Sequence, residues 1–245
     1  MRTIAIIPAR YASSRFPGKP LAKICGKPMI QHVYENVLKV EEIDDVFVAT
    51  DDERIFDTVT EFNGKALMTS PKHNCGTERL AECTEILELK PTDLVLNIQG
   101  DEPLIHPNMV RELRTIFDEE NVLMGTLKKQ IELPEELENP NVVKVITDME
   151  DNAIYFSRYA IPFVRNGNAV KVYKHIGIYG YKKDFLMKFS KMEKTPLERA
   201  ESLEQLRAIE NGYKIKVKET CYETVGVDTP EQIALVEEQM RKRMD

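Results

Sequence analysis

Three basic side chains lie close together in a polar loop near the start of the chain. Residues 8–21 read PARYASSRFPGKPL and contain Arg10, Arg15 and Lys19. Arginine offers forked hydrogen-bond donors and lysine a compact positive charge, so such a loop can surround a polyphosphate. A solvated basic loop without a ligand has the same composition, and the charge pattern alone does not separate the two.

The same loop does not match the common phosphate-binding motifs. Pro20 follows Gly18 and Lys19 at the position where a Walker A loop requires serine or threonine. The loop does not have the spacing of a dinucleotide-binding G-x-G-x-x-G motif either. Ser13 and Ser14 add hydroxyl groups, and glycine permits close approach of the backbone to a ligand. Any triphosphate site here is therefore of another type.

Two aspartates are candidates for a magnesium site. Asp101 lies in QGDEP and Asp228 in GVDTPE. Magnesium prefers one or two protein carboxylates together with phosphate oxygens and water. Each aspartate also has a purely structural interpretation. An aspartate after a glycine is typical of a turn, and one before Thr-Pro-Glu is typical of a helix N-cap.

A possible base-binding segment is HNCGTERLAE, residues 73–82. It is predicted to begin a helix, and the first turn of a helix leaves backbone N–H groups free to meet ligand acceptors. Thr77 and Glu78 could equally serve as simple helix caps, and Arg79 could form a structural ion pair.

The first half of the chain alternates between strand-like and helix-like periodicity. Strands are predicted at 3–7, 45–50, 65–69 and 94–98, and helices at 28–39, 52–62 and 77–89. This order predicts a parallel sheet with helices on its faces. Ligands of such sheets bind outside the carboxyl ends of the strands. The sequences PAR, ATD and QGDEP lie at those ends, so the chemistry should gather there.

The second half is less regular, and no linker marks a sharp subdomain boundary near residue 125. A hairpin is expected from two strands, a further single strand follows, and residues 196–212 (PLERAESLEQLRAIENG) predict one continuous helix with Glu204 and Gln205 in its middle. The chain closes with a helix capped by Asp228 or Thr229. The predicted strands of this half are 142–148, 153–157, 175–181 and 213–219.

Composition excludes several classes of function. The net charge is -7 and the pI near 5.4, which argues against a broad nucleic-acid surface. No apolar run approaches the ~20 residues of a transmembrane helix, and the N-terminal apolar run is too short for a signal peptide. The four cysteines have neither zinc-site spacing nor a disulfide pattern. We therefore expect a cytoplasmic protein that does not insert into membranes.

An ordered set of motifs resembles the CMP-Kdo synthetase family of sugar-acid cytidylyltransferases. The resemblance begins with R-x-x-S-x-R-x-P-G-K-P-L and covers nearly the whole chain. The further motifs, in order, are GKPMIQHV, VATDDE, GTERLAE, NIQGDEP, YFSR, HIGIYGY, LEQLR and GVDTPE.

The resemblance implies a fold and an assembly. The fold is an α/β, Rossmann-like nucleotidyltransferase fold with a mostly parallel central sheet and a smaller inserted region, in a homodimer. Residues 1–245 would form a single domain. Its nucleotide-binding part would be mainly 1–125, its sugar-binding and dimerisation part mainly 126–225, and a C-terminal helix at 229–243 would pack back on the core.

The resemblance also implies roles for particular residues, with Mg²⁺ as the cofactor held by Asp101 and Asp228. A departure occurs at Cys75, where the family usually has serine; a thiol donates poorly, so a side-chain contact from there to the base is in doubt. The implied catalytic residues are Arg10, Lys19, Asp101 and Asp228. The implied CTP contacts are Pro8, Ala9, Arg10, Arg15, Lys19, Cys75, Thr77, Arg79 and Gln99. The implied sugar contacts are Gln99, Arg158, His175, Tyr179, Glu204 and Gln205.

The implied reaction transfers CMP from CTP to the anomeric hydroxyl of 3-deoxy-D-manno-octulosonate (Kdo). The products are CMP-Kdo and pyrophosphate, and the pathway is lipopolysaccharide biosynthesis. Two alternatives stay open on the sequence. One is a cytidylyltransferase for the 8-amino analogue of Kdo, and the other is a non-catalytic nucleotide-binding protein on the same fold.

Overall fold

A mixed sheet of nine strands forms the centre of the molecule. The computed structural model describes residues 1–12, 15–165 and 170–244. Ser13 and Ser14 of the basic loop lie outside the described residues. The strands of the sheet are β1 (Thr3–Ala9), β4 (Asp45–Thr50), β5 (Ala66–Met68), β6 (Leu94–Asn97), β7 (Met124–Gln130), β8 (Lys144–Thr147), β9 (Ala153–Ser157), β10 (Tyr173–Lys182) and β11 (Lys216–Glu219). Two short strands, β2 (Lys23–Ile24) and β3 (Lys27–Pro28), form a separate antiparallel pair. The sheet places its strands in the order β11-β7-β10-β6-β1-β4-β5, and a hairpin of β8 and β9 joins β10.

Helices pack on both faces of this sheet. Helices α1, α2 and α4 contribute to the core on one face, while α3, α6 and α8 contribute to the core on the other. Within the described helices, none is long and apolar enough to cross a membrane. The helices are α1 (Met29–Leu38), α2 (Glu53–Glu61), α3 (Gly76–Ile86), α4 (Pro107–Thr115), α5 (Pro134–Glu138), α6 (Lys183–Phe189), α7 (Pro196–Glu201), α8 (Leu206–Glu210) and α9 (Gln232–Met244).

The parallel part of the sheet consists of β6, β1, β4 and β5. Strand β1 pairs in parallel with both β4 and β6, and β4 pairs in parallel with β5. Alternate residues of β1 enter opposite cores, Ile7 on one face and Ile6 on the other, and both are fully buried. Burial of each such side chain contributes roughly 1.5–3 kcal/mol to the stability of the folded state. The predicted α/β class, with its four parallel strands, is confirmed.

Strand β10 runs against its neighbours and extends beyond the carboxyl end of β6. Tyr179 pairs with Asn97 at the end of β6, so residues 173–178 project past the parallel strands. There β10 pairs with β7 and with the hairpin of β8 and β9. The hairpin is confirmed, and together these strands form a wall beside the edge of the sheet where ligands are expected.

The predicted continuous helix over 196–212 is wrong. Helix α7 ends at Glu201, Ser202 adopts a left-handed conformation with φ of 52°, and α8 begins only at Leu206. The break lets Arg207 fold back onto Glu198, with Nε–Oε2 2.7 Å and Nη2–Oε1 2.5 Å. Nine positions of straight helix would separate these residues by about 13 Å along the axis. A continuous helix would therefore not allow the buried ion pair between Arg207 and Glu198.

The last helix also begins later than predicted. Helix α9 starts at Gln232, whose Oε1 accepts hydrogen bonds from the backbone N–H groups of Asp228 (2.6 Å) and Thr229 (3.0 Å). In a capping box, the side chain three positions into a helix accepts from the N–H of the N-cap residue in this way, and the expected cap at Asp228 or Thr229 stays a prediction. Val236 of α9 packs with Met29.

Gly180 of β10 should be a sensitive position. A Cβ atom there would lie 2.8 Å from Cζ of buried Phe117, whereas a Cβ atom at Gly177 on the same strand would meet nothing within 4 Å. Gly180→Ala should therefore lower the free energy of unfolding by about 1–3 kcal/mol, as overpacking of a core does. Urea denaturation measures this, with Gly177→Ala as the matched control. Equal midpoints for the two variants would contradict the packing described here.

Candidate active site

The basic loop follows β1 and returns toward the end of that strand. Gly18 has φ of 72°, and a Cβ atom there would lie 3.1 Å from the ring of Tyr11. The backbone N–H of Gly18 donates to the carbonyl of Tyr11 at 2.9 Å. This close approach requires glycine, and it sets the direction of Lys19, which starts a short 3-10 turn over Lys19–Leu21.

The ammonium of Lys19 lies between the two candidate aspartates. Its Nζ is 2.6 Å from Oδ2 of Asp101 and 3.5 Å from Oδ1 of Asp228. Arg15 approaches the same Oδ1 of Asp228 at 3.0 Å. The structure thus brings together carboxylates that are far apart in the sequence, and the Asp228 carboxylate faces cations beside the cleft.

The two carboxylates fit a magnesium ion by their chemistry. Within the described ranges, no group of three or more His, Cys, Asp and Glu side chains could hold a metal ion. Two carboxylates completed by phosphate oxygens and water are the usual ligand set of Mg²⁺ when a nucleotide is bound. Asp101 and Asp228 are 35% and 48% exposed and so are accessible from the cleft.

A third carboxyl group, not singled out from the sequence, lies next to this pair. Burial raises the pKa of Glu102 to about 8, and the negative charge of Asp101 adds to the shift. Thr224 donates to its Oε2 at 3.3 Å. Glu102 therefore takes up a proton more readily than an ordinary glutamate does. Asp101, its neighbour in QGDEP, was predicted as a site residue, but nothing in the sequence indicated that Glu102 is shielded from solvent.

These residues line a cleft of about 380 Å³ at the carboxyl edge of the sheet. A Cβ atom on Gly100 would lie 3.0 Å from the carbonyl oxygen of Pro8, so glycine is needed where the ends of β1 and β6 meet. The cleft unites most of the residues expected around the phosphates and adds three small or apolar ones that the sequence did not single out, Ala12, Pro20 and Gly100. Its predicted lining residues are Pro8, Ala9, Arg10, Arg15, Lys19, Gln99, Asp101 and Asp228.

The start of α3 lies beside this cleft. Cys75 is the N-cap residue of α3, with no side-chain hydrogen bond to the helix. Burial raises the pKa of its thiol to about 11, and the charge of Glu204 adds to the shift, so the thiol stays protonated. Arg10 donates from Nη2 to the carbonyl of His73 at 2.7 Å. The basic loop and the segment before α3 are thus held together.

Arg79 has a supporting position. Its side chain is fully buried, pairs with Asp51 at 2.9 Å and donates to the hydroxyl of Thr69. The guanidinium therefore connects the ends of β4 and β5 to α3 and presents no surface to a nucleotide. Its expected contact with CTP stays a prediction. The role of Asp51 was not recognised, although it follows β4 in the motif VATDDE.

Several of the expected sugar contacts meet on the wall side of the site. Thr77 donates to Oε2 of Glu204 at 2.5 Å, and Gln99 donates to the carbonyl of Gly177 at 3.2 Å. Tyr179 lies near Glu204, whose charge, after burial, keeps the pKa of Tyr179 well above its usual value. These side chains offer hydrogen-bond donors and acceptors of the kind that a polyhydroxylated ligand needs.

His175 is packed among rings. Its ring centroid is 5.0 Å from that of Phe156 and 5.3 Å from that of Tyr179. The hydroxyl of Thr126 lies 3.0 Å from its Nε2. Burial lowers the pKa of His175 to about 3, so the imidazole is neutral at physiological pH. It can accept or donate a hydrogen bond to a sugar but cannot supply a positive charge.

Arg158 lies at the end of β9 and is held by backbone carbonyls. Its Nε donates to Glu201 at 2.8 Å, Nη1 to Pro140 at 3.0 Å and Nη2 to Ser202 at 3.5 Å. A guanidinium has five N–H donors, so these contacts do not exhaust its capacity. The structure does not place Arg158 in the phosphate cleft, and its expected contact with a sugar carboxylate stays a prediction.

Comparison with known proteins agrees with this geometry. A family model described as Cytidylyltransferase matches residues 4–215. Proteins named 3-deoxy-manno-octulosonate cytidylyltransferase from Syntrophus aciditrophicus and Fusobacterium nucleatum are 51% and 52% identical over 237 residues, which is 96% of this chain and of each relative.

Solved structures show the same fold. A CMP:2-keto-3-deoxy-manno-octonic acid synthetase complexed with CTP superposes with a TM-score of 0.93 at 42% identity, covering 99% of this chain and 100% of the other. A 4-diphosphocytidyl-2C-methyl-D-erythritol synthase from Anaerococcus prevotii, at 18% identity, covers 98% of this chain and 99% of its own. Its TM-score is 0.62, and at this identity it shares the fold alone.

The family model spans most of the chain, and relatives about half identical to it align along nearly their whole length. The resemblance seen in the motifs is confirmed: this chain belongs to the cytidylyltransferase family, in the group of the 3-deoxy-manno-octulosonate cytidylyltransferases.

Proposed function

We propose that this protein transfers CMP from CTP to the anomeric hydroxyl of Kdo and releases pyrophosphate. The observation that carries the proposal is the meeting of Lys19, Asp101 and Asp228 in one cleft beside Arg10 and Arg15. Related proteins bear the name of this activity. The two aspartates, both directed at the cleft, argue against a non-catalytic binding protein.

The charges of the cleft suit an in-line displacement at the α-phosphorus. The sugar hydroxyl forms the new oxygen–phosphorus bond, the bond to the β-phosphate oxygen breaks, and pyrophosphate leaves. Lys19, Arg15 and Arg10 would balance the charge of the triphosphate, mainly by position and electrostatics. Mg²⁺ held by Asp101 and Asp228 would lower the pKa of the attacking hydroxyl and neutralise developing charge.

The acceptor would lie between the cleft and the wall formed by β10. Gln99, Tyr179, Glu204 and Gln205 supply hydrogen-bonding groups there, and Gln205 is almost fully buried. We assign the acid group of the sugar to Arg158. The relatives' names favour Kdo over its 8-amino analogue.

We further propose a cytoplasmic homodimer that supplies CMP-Kdo for lipopolysaccharide synthesis. Tyr159 and Phe163 are 79% and 89% exposed on the segment that follows β9. Large exposed aromatic side chains on one segment are typical of a protein contact surface.

CTP should be the preferred nucleotide. The start of α3 is the segment that we assign to the base, because the first turn of a helix directs backbone N–H groups outward along its axis. Pyrophosphate release with Mg²⁺ should be fastest with CTP and Kdo, and at least ten times slower with UTP or ATP. The same assay with 8-amino-Kdo tests the choice of sugar. Equal kcat/KM for CTP and UTP would refute the assignment of this segment, and no release with any sugar acid would refute the function.

Asp228→Asn should fold normally and lose almost all activity. Asparagine keeps the size of the side chain and can still form hydrogen bonds, but it removes the charge that faces Lys19 and Arg15. We expect kcat to fall by at least a hundredfold at physiological Mg²⁺, with part of the rate regained at higher Mg²⁺ or Mn²⁺.

Asp57→Asn, on the exposed face of α2, is the matched control and should behave as wild type. Thermal denaturation establishes that each variant is folded. A folded Asp228→Asn protein with a normal rate would remove Asp228 from the proposed metal site.

A further inference from the structure

One hydrogen bond joins the nucleotide side of the site to the acceptor side. Thr77 lies in the first turn of α3, and Glu204 lies in the turn between α7 and α8, 127 positions later. The Thr77 hydroxyl donates to Oε2 of Glu204 at 2.5 Å. A hydrogen bond from a hydroxyl to a carboxylate is among the stronger types.

Both ends of this contact are fixed by their surroundings. Thr77 is 2% exposed, and the turn that carries Glu204 is anchored by Leu203 and Leu206, which are 7% and 0% exposed. Gln205, between these anchors, is also buried. Neither partner can therefore move far without disturbing the core, so the bond transmits position from one element to the other.

The second oxygen of Glu204 extends the connection. Arg207 Nη2 lies 3.4 Å from Oε1 of Glu204 and 2.5 Å from Oε1 of Glu198. Glu198 belongs to the capping box that starts α7 with Thr195. A continuous polar network thus runs from the start of α3 through the turn to the start of α7.

Residues of both expected subsites face this carboxylate. Burial raises the pKa of Cys75, at the start of α3, and that of Tyr179, on β10, and the charge of the nearby Glu204 adds to both shifts. Glu204 therefore contacts or lies near residues of both expected subsites, and a shift of its carboxylate would change the surroundings of each.

We propose that the Thr77–Glu204 hydrogen bond couples the two substrate sites. While it holds, the first turn of α3 and the turn over 202–205 keep one relative position, so that binding of the nucleotide pre-orders the groups that receive the acceptor. Thr77 and Glu204 are positioning residues for the opposite substrate in this scheme. The inference rests on the proposed transfer from CTP to Kdo.

Thr77→Val tests the coupling from the nucleotide side. Valine matches the shape of threonine but cannot donate, and because the Glu204 side chain is 31% exposed, water can replace the lost donor. We expect the KM for Kdo to rise roughly tenfold, as for loss of one hydrogen bond to a charged group. Thr77→Ser should restore it.

Glu204→Gln tests the coupling from the other side, because it removes the charge that the Thr77 hydroxyl donates to. The informative quantity is the affinity for CTP, which calorimetry measures with no sugar present. It should weaken severalfold although Glu204 lies on the acceptor side. Thr84→Val is the matched control, since Thr84 is buried on the same helix and donates to Ala81 within it. It should leave both affinities unchanged.

The outcomes distinguish a failure of the coupling from a failure of the proposed function. If wild-type protein releases pyrophosphate from CTP and Kdo, yet Thr77→Val changes only the KM for CTP and Glu204→Gln leaves CTP binding unchanged, the coupling is refuted alone. If wild-type protein releases no pyrophosphate with Kdo, the proposed function fails and the coupling with it. Thermal denaturation of each variant shows that the comparison concerns folded protein.

Discussion

The meeting of one ammonium with two carboxylates is the interaction on which the rest of the site depends. Lys19, Asp101 and Asp228 come from three separate segments, and like charges at this distance repel unless a cation lies between them. Lys19 fills that role. The arrangement keeps the two carboxylates close together and offsets part of their negative charge.

The fold brings these segments together by ordinary means. Strands β1 and β6 are neighbours and end at the same edge of the sheet, which delivers the basic loop and Asp101 to one place. Asp228 arrives by a different route. The segment before α9 is hydrogen-bonded to the turn that follows β6, where the backbone N–H of Val227 donates to the carbonyl of Asp101 at 2.8 Å. This one backbone contact places Asp228, the residue after Val227, close to Asp101.

The sequence predicts the four parallel strands and the three helices between them well, because each of these elements has its own local period, whereas α4 was not predicted. The prediction fails at 196–212, where the pattern is helical throughout but a left-handed residue at Ser202 breaks the helix and Arg207 pairs with Glu198 across the break. Local pattern also could not decide whether Asp228 caps a helix or faces the cleft. For Arg79 the sequence left a structural ion pair open and only the resemblance implied a contact with CTP; its complete burial against Asp51 depends on tertiary packing and has no local signal.

The position of β10 in the sheet has a consequence for how the chain folds. Strand β6 ends at Asn97, but the neighbour that covers its open edge is synthesised only with residues 173–182. Until then the growing chain presents an unpaired edge of β6, the kind of surface that pairs with other chains. Contacts so distant in sequence also form slowly. A fragment that ended near residue 125 would keep this edge unpaired, so we expect residues 1–125 not to fold independently, and we expect the nascent protein to be most prone to aggregation between the synthesis of β6 and that of β10.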